Sequence, residues 1–221
     1  MAADNESLVD VTVKLEDSPS ILDEVGKPDG EELSTHLLNI EANRLSIAQS
    51  QQELQSLEEI TDQIQLLEHQ LDAAHRALFQ MNGKALFADE VGLGKTIEVG
   101  IVLKEMVFRE AHDTFLILTP AQLATQWQKE MREKFGLEFA CNYDDDFKGF
   151  DASDKIVASI DTAKRDSYAE EIHKRSWDAL IIDEAHYLRN QDTNRYEFVD
   201  DIEYRYAFFA TATPVQNDVT D

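Results

Sequence analysis

"ADEVGLGKTIE", residues 88–98, is the stretch on which the reading of this chain turns. It contains Gly94-Lys95-Thr96, the residue types of a phosphate cradle: glycine lets backbone N–H groups approach an anion closely, and a lysine and a hydroxyl follow. The general form of that cradle has a glycine five residues before Gly94, where this chain has Asp89. A tripeptide alone would equally suit a surface turn, so its surroundings decide. The apolar run "KALFA" at 84–88 precedes it, and a helical pattern over about 95–108 follows. That order puts the glycines at a helix N-terminus, whose partial positive charge favours phosphate. Gly92, Leu93, Gly94, Lys95 and Thr96 are therefore candidate nucleotide-binding residues, with Lys95 bridging the outer phosphates and Thr96 holding Mg²⁺.

Downstream, short apolar strands are predicted at 115–119, 155–160, 178–182 and 206–210, alternating with helices near 121–135, 162–173 and 194–202. These strands lack polar alternation, which suits a mainly parallel α/β sheet covered by helices on both faces. Ligands in such sheets bind at the carboxyl ends of the strands. The polar landmarks fall there: Asp89 to Thr96, Thr119-Pro120, Ser159 and Asp161, Asp183-Glu184, and Thr211 to Pro214. Within "IIDEAHYLRN", residues 181–190, Asp183 suits Mg²⁺ and Glu184 suits activation of a water. Neighbouring carboxylates mean little alone; beside a phosphate cradle they complete an ATPase half-site. His186 has no second His or Cys at a productive spacing, so zinc is not expected.

Upstream, residues 1–33 are acidic, punctuated by "DSPS" and "GKPDG", and read as disordered or loosely attached. Residues 34–62 read as a helical extension, and 63–221 as the α/β domain; its first helix is predicted over Leu66–Gln80, with Leu67, Leu71, Ala74 and Leu78 on one side. The chain carries 45 acids against 20 bases, a formal net charge of −25. The excess is general, since residues 61–221 alone hold 31 acids and 17 bases. Such a surface is expected of a salt-rich cytoplasm, where counter-ions screen self-repulsion. One cysteine, Cys141, excludes an internal disulfide and fits a reducing, cytoplasmic setting. Apolar runs of about five residues fall short of the roughly 20 that cross a bilayer, and "MAADNESLVD" has no secretory character, so no membrane association is expected.

Taken in order, these motifs resemble the first RecA-like lobe of a superfamily 2 helicase, nearest the Swi2/Snf2-like DNA translocases. The similarity runs from about residue 63 to 218. "LLEHQLDAA" is similar to the segment in which a glutamine, here Gln70, helps to recognise adenine. "DEVGLGKTIE" resembles the phosphate loop of this branch, which often has Asp where the general P-loop has glycine. "ILTPAQLATQWQKE" places Thr119, Pro120 and Gln126-Trp127 as in the next motif, which implies that Thr119 and Pro120 face nucleic acid, and "SIDTAKR" resembles a nucleic-acid-facing motif through Ser159 and Asp161. "DEAH" at 183–186 and "TATPVQND" at 211–218 match the catalytic and coupling motifs; His186, Thr211 and Thr213 would link ATP state to nucleic acid. "FATATP" lies nearer prokaryotic members than eukaryotic remodellers.

The resemblance implies an ATP hydrolase using ATP and Mg²⁺, with Lys95, Asp183 and Glu184 catalytic, acting on double-stranded DNA. It also implies a second RecA-like lobe, in cis or in trans, since arginines from that lobe reach the γ-phosphate in this family and are worth several orders of magnitude. Two functions stay open: an enzyme lobe driving translocation, and an interaction module that binds nucleotide without turnover. No basic track is visible; Lys129, Arg132 and Lys134 share a predicted helix, Lys164-Arg165 follow Asp161, and acids flank both clusters.

Overall fold

Strand β2, Phe115–Thr119, buries every side chain, which requires cover on both faces. It lies inside a six-stranded sheet with β1 (Lys84–Phe87), β3 (Ala140–Cys141), β4 (Lys155–Ser159), β5 (Ser176–Asp183) and β6 (Glu203–Ala210), in the order β1-β6-β5-β2-β4-β3. All five pairings are parallel, as the unbroken apolar runs predict. The computed structural model describes residues 53–60, 64–81, 83–88, 94–109, 112–188 and 194–211. The disordered segment expected at 1–33 and most of the helical extension lie outside the described residues, as do Gly92, Leu93 and Thr213.

Alternation along the strands divides the core. Phe115 and Ile117 of β2, Val157 of β4 and Ile181 of β5 face a cluster shared with helices α1 (Glu68–Phe79), α2 (Lys95–Phe108) and α3 (Ala124–Phe135). Leu116, Leu118, Ile156, Ala158 and Ile182 face the other cluster, with α4 (Ile160–Ala163), α5 (Asp166–His173) and α6 (Asn194–Asp200). No helix among the described residues is long and apolar enough to cross a membrane.

Helix α2 is apolar nearly all round, and residues 97 to 103 are all buried because α1 and α3 flank it. Gly100 makes this possible: a Cβ there would sit 2.1 Å from the fully buried ring of Phe135 on α3. Helix propensity alone favours alanine over glycine by roughly 1 kcal/mol. Packing reverses the sign, so Gly100→Ala is expected to destabilise by about 1–3 kcal/mol, read as a lower urea midpoint with unchanged slope.

Several boundaries differ from the sequence expectation, each for a local reason. The stretch at 53–57 is not α-helical; a 3₁₀ turn forms at Ser56–Glu59 because the Gln55 and Ser56 N–H groups donate to the Glu105 carboxylate on α2. In α1, Leu67 is exposed at the N-cap, and the buried side is Gln70, Ala74 and Ala77. The helix expected at 162–173 breaks at Arg165, whose extended backbone offers its carbonyl to Tyr168 and Ala169. Strand β5 starts two residues early at Ser176; Asp178 within it accepts from the Asp113 and Thr114 N–H groups and the Thr114 hydroxyl. Burial pushes the Asp178 carboxyl up, but those donors and His112 outweigh it and hold its pKa at about 2.

Candidate functional site

Register brings the polar landmarks to one edge. Phe87 pairs with Ala210, Ala210 with Asp183, and Thr119 with Ser159, while Leu118 pairs with Ile182 one step below. The carboxyl ends of five strands thus form a row, the place where parallel sheets bind ligands.

The glycine turn opens α2 at this edge. Gly94, with φ of 95°, is its N-cap, and its carbonyl accepts from the Ile97 and Glu98 N–H groups. That left-handed conformation favours glycine. Lys95 and Thr96 begin the helix, half-buried, and their N–H groups belong to the first turn, which the intrahelical ladder leaves for other acceptors. Gln70 closes the other side: it is buried, its Oε1 accepts from the Leu67 N–H, and a Cβ on Gly94 would come 2.3 Å from its Nε2. Gln70 therefore packs directly on the glycine turn, which the sequence spacing did not disclose.

Asp183 ends β5. Its Oδ2 accepts from Thr119 Oγ1 at 3.1 Å and from Trp127 Nε1 at 2.7 Å, and its Oδ1 accepts from the Glu184 N–H at 2.9 Å. Glu184 turns the chain out of the strand with φ of 52°, the one non-glycine residue in the left-handed region among the described residues. Such a conformation costs on the order of 1–3 kcal/mol and persists where surroundings over-determine it. Glu184 Oε2 is buried 3.0 Å from His186 Nδ1, within ion-pair reach, yet no aligned hydrogen bond is made to it. His186 Nδ1 lies 3.4 Å from Thr211 Oγ1, so His186 stands between the end of β5 and the end of β6.

The donors fit the implied ligands. First-turn amides, Lys95 and Gly94 suit a polyphosphate, and the hard oxygens of Thr96 and Asp183 suit Mg²⁺. No group of three or more His, Cys, Asp or Glu that could hold a metal by itself occurs among the described residues. Mg²⁺ typically takes one or two carboxylates and completes its shell with phosphate and water.

The residues expected to face nucleic acid separate into two kinds. Thr119 and Ser159 are buried, Thr119 spending its hydroxyl on Asp183 while the Ser159 N–H donates to Asn142 Oδ1. Pro120 and Asp161 line an open cleft of about 590 Å³ with Gln122, Asp183, Tyr187 and Arg195. Asp161 is exposed and paired to Lys164 at 3.0 Å and to Arg195 at 2.8 Å. Burial raises its carboxyl, but hydrogen bonds and charge from Lys164 and Arg195 outweigh that, so the net shift is downward. Arg195 lies over the Tyr187 ring, 5.4 Å from its centroid. Sequence reading placed Trp127 in a motif without giving it a role, and it did not single out Arg195. A buried indole N–H needs a partner, and for Trp127 that partner is Asp183.

Comparison with known proteins agrees with this fold. The SNF2-related domain family matches residues 69–221. A Bacillus subtilis (strain 168) protein described as uncharacterized ATP-dependent helicase YqhH is 45% identical over 158 residues, covering 70% of this chain and 28% of that protein. The Sulfolobus solfataricus SWI2/SNF2 ATPase core in complex with dsDNA superposes with a TM-score of 0.64 at 24% identity, over 75% of this chain and 36% of that one. The Sulfolobus solfataricus SWI2/SNF2 ATPase core domain gives 0.62 at 24% identity, over 76% and 35%. At that identity the structural likeness speaks for the fold. The chain spans about a quarter to a third of the length of these relatives.

Proposed function

Because this chain belongs to the SNF2-related domain family, as an N-terminal RecA-type ATPase lobe, we propose that it binds Mg·ATP and, joined by a second lobe in cis or in trans, turns over ATP to move along double-stranded DNA. The carrying observation is the convergence of Gly94-Lys95-Thr96, Asp183 and Glu184 on one edge of a parallel sheet. In this reading Lys95 and the first turn of α2 hold the phosphates, Thr96 and Asp183 hold the metal, and Gln70 supports the glycine turn beside the base. Glu184 positions and deprotonates the attacking water. Bound Mg²⁺ would neutralise charge developing between the β- and γ-phosphates. His186 and Thr211 join two strand ends and give the site a path towards the coupling motif. DNA lies against the cleft at Pro120, Gln122 and Arg195, with contacts that position the backbone rather than read bases.

The test is steady-state ATP hydrolysis by the chain mixed with a second RecA-like lobe, with and without duplex DNA. DNA-stimulated turnover is expected, and Lys95→Ala should lower it by about 100-fold or more, the scale for removing a preorganised charge partner of the transition state. Turnover untouched by that substitution would overturn the catalytic assignment. Nucleotide binding with no rate under any pairing would favour the alternative, a nucleotide-dependent interaction module.

A further inference from the structure

Asp183 is held on one oxygen by two donors, one at the end of β2 and one in α3. Thr119 stands before the 120–123 segment and Trp127 after it, and both donate to Oδ2, at 3.1 and 2.7 Å. Both donors are buried, Thr119 completely and Trp127 to within 3%. A carboxylate has about four lone-pair sites. Two on Oδ2 are filled, and the Glu184 N–H takes one on Oδ1. One site, on Oδ1, is left for a cation or its water.

We infer that Trp127 is a positioning residue for the metal site: with Thr119 it fixes the Asp183 carboxylate so that Oδ1 is the oxygen that would hold Mg²⁺ or its water. This inference rests on the Mg·ATP reading above and deepens it. Hydrogen bonds to a ligating carboxylate orient it, and losing such a partner typically costs 10- to 100-fold in metal affinity. The indole is suited to the task because α3 fixes its ring while its N–H projects to the strand end. Without it Oδ2 keeps only the longer bond from the Thr119 hydroxyl, so the carboxylate is held less firmly and the preset orientation weakens. Phosphate contacts from Lys95 and α2 do not pass through this link, so nucleotide affinity without metal is independent of it.

The experiment is a titration of an N-methylanthraniloyl ATP into the chain in EDTA, then a Mg²⁺ titration at fixed nucleotide. Trp127→Phe removes the N–H and keeps an aromatic ring; Thr119→Val removes the hydroxyl and keeps the shape. Both should raise the half-saturating Mg²⁺ concentration about 10-fold or more and leave affinity in EDTA unchanged. Trp177→Phe is the control, a buried indole that donates to the Ile172 carbonyl away from Asp183, and it should match wild type. If Trp127→Phe does not fold, Thr119→Val carries the same readout. A Mg²⁺ midpoint within about twofold of wild type in the folded variants overturns this inference alone, as does parallel loss of affinity in EDTA. Failure of the wild-type chain to bind the nucleotide overturns the Mg·ATP reading and this one with it.

Discussion

Glu184→Gln is expected to lower ATP turnover of the assembled lobes by about 10²- to 10⁴-fold, the usual contribution of a positioned general base. Mg·ATP affinity should stay within about twofold, because Gln keeps the length and one acceptor but takes no proton. Geometry explains why so conservative a change matters. Glu184 leaves the strand at φ 52°, which swings its carboxylate away from the course of β5, beside Asp183. Its Oε2 is buried with His186 Nδ1 3.0 Å away, so the group is not merely a solvated surface acid. Single-turnover rates and nucleotide titrations on the same preparations separate the two effects. Equal turnover in the variant would remove Glu184 from the chemistry and leave it a turn residue.

Glu105→Ala is expected to be the most damaging structural change, at about 3 kcal/mol, since it strands several donors on a buried acceptor site. Glu105 on α2 is completely buried and accepts from the Gln55 N–H, from the Ser56 N–H at 2.8 Å and from Arg109 Nε at 2.6 Å. Arg109 also donates to the Glu53 carbonyl at 2.6 Å, and Lys104 pairs with Glu59 at 2.8 Å. One helix face thus holds the segment that leads into α1 and Gln70. Differential scanning calorimetry should show Tm falling by about 6–12 °C at neutral pH, from roughly 2–4 °C per kcal/mol for a domain of this size. The effect should shrink in acid. Burial raises the Glu105 carboxyl, but the Gln55 and Ser56 N–H groups and Arg109 outweigh it, so its folded pKa lies below the ordinary value. Its stabilisation is complete above the unfolded pKa and is lost as pH falls through the lower folded one. Wild type and Glu105→Ala should therefore converge at the acid end. A constant gap across pH would mean that the loss is packing alone.

How much was legible in advance differs by element. Unbroken apolar runs such as "FLILT" gave the parallel sheet, because a strand covered on both faces has no polar side to show. Strand ends were less legible: β6 begins at Glu203 among exposed residues that pair along β5, and pairing partners are not written in a local window. The two-residue strand Ala140–Cys141 carries no periodicity at all, and exists because Val157 lies beside it.

The candidate site shows the same division. The placement of Gly94-Lys95-Thr96 at a helix start and of Asp183-Glu184 at a strand end was readable, because both follow from local patterns of glycine and apolar residues. What the tertiary structure alone decided is which groups share an atom. Trp127 lies 56 residues from Asp183 and Thr119 lies 64 from it, yet both converge on its Oδ2 because β2 and β5 are neighbours and α3 folds back over them. The same geometry buried Thr119 and Ser159, which sequence motifs had placed towards nucleic acid, and tied Asp161 to Arg195. By itself the sequence determined the kind of fold and which polar residues stand at the strand ends, since hydrophobic period and glycine conformation act over a few residues. Orientation of the carboxylates waited on strand order, because hydrogen-bond partners are set by distance in space.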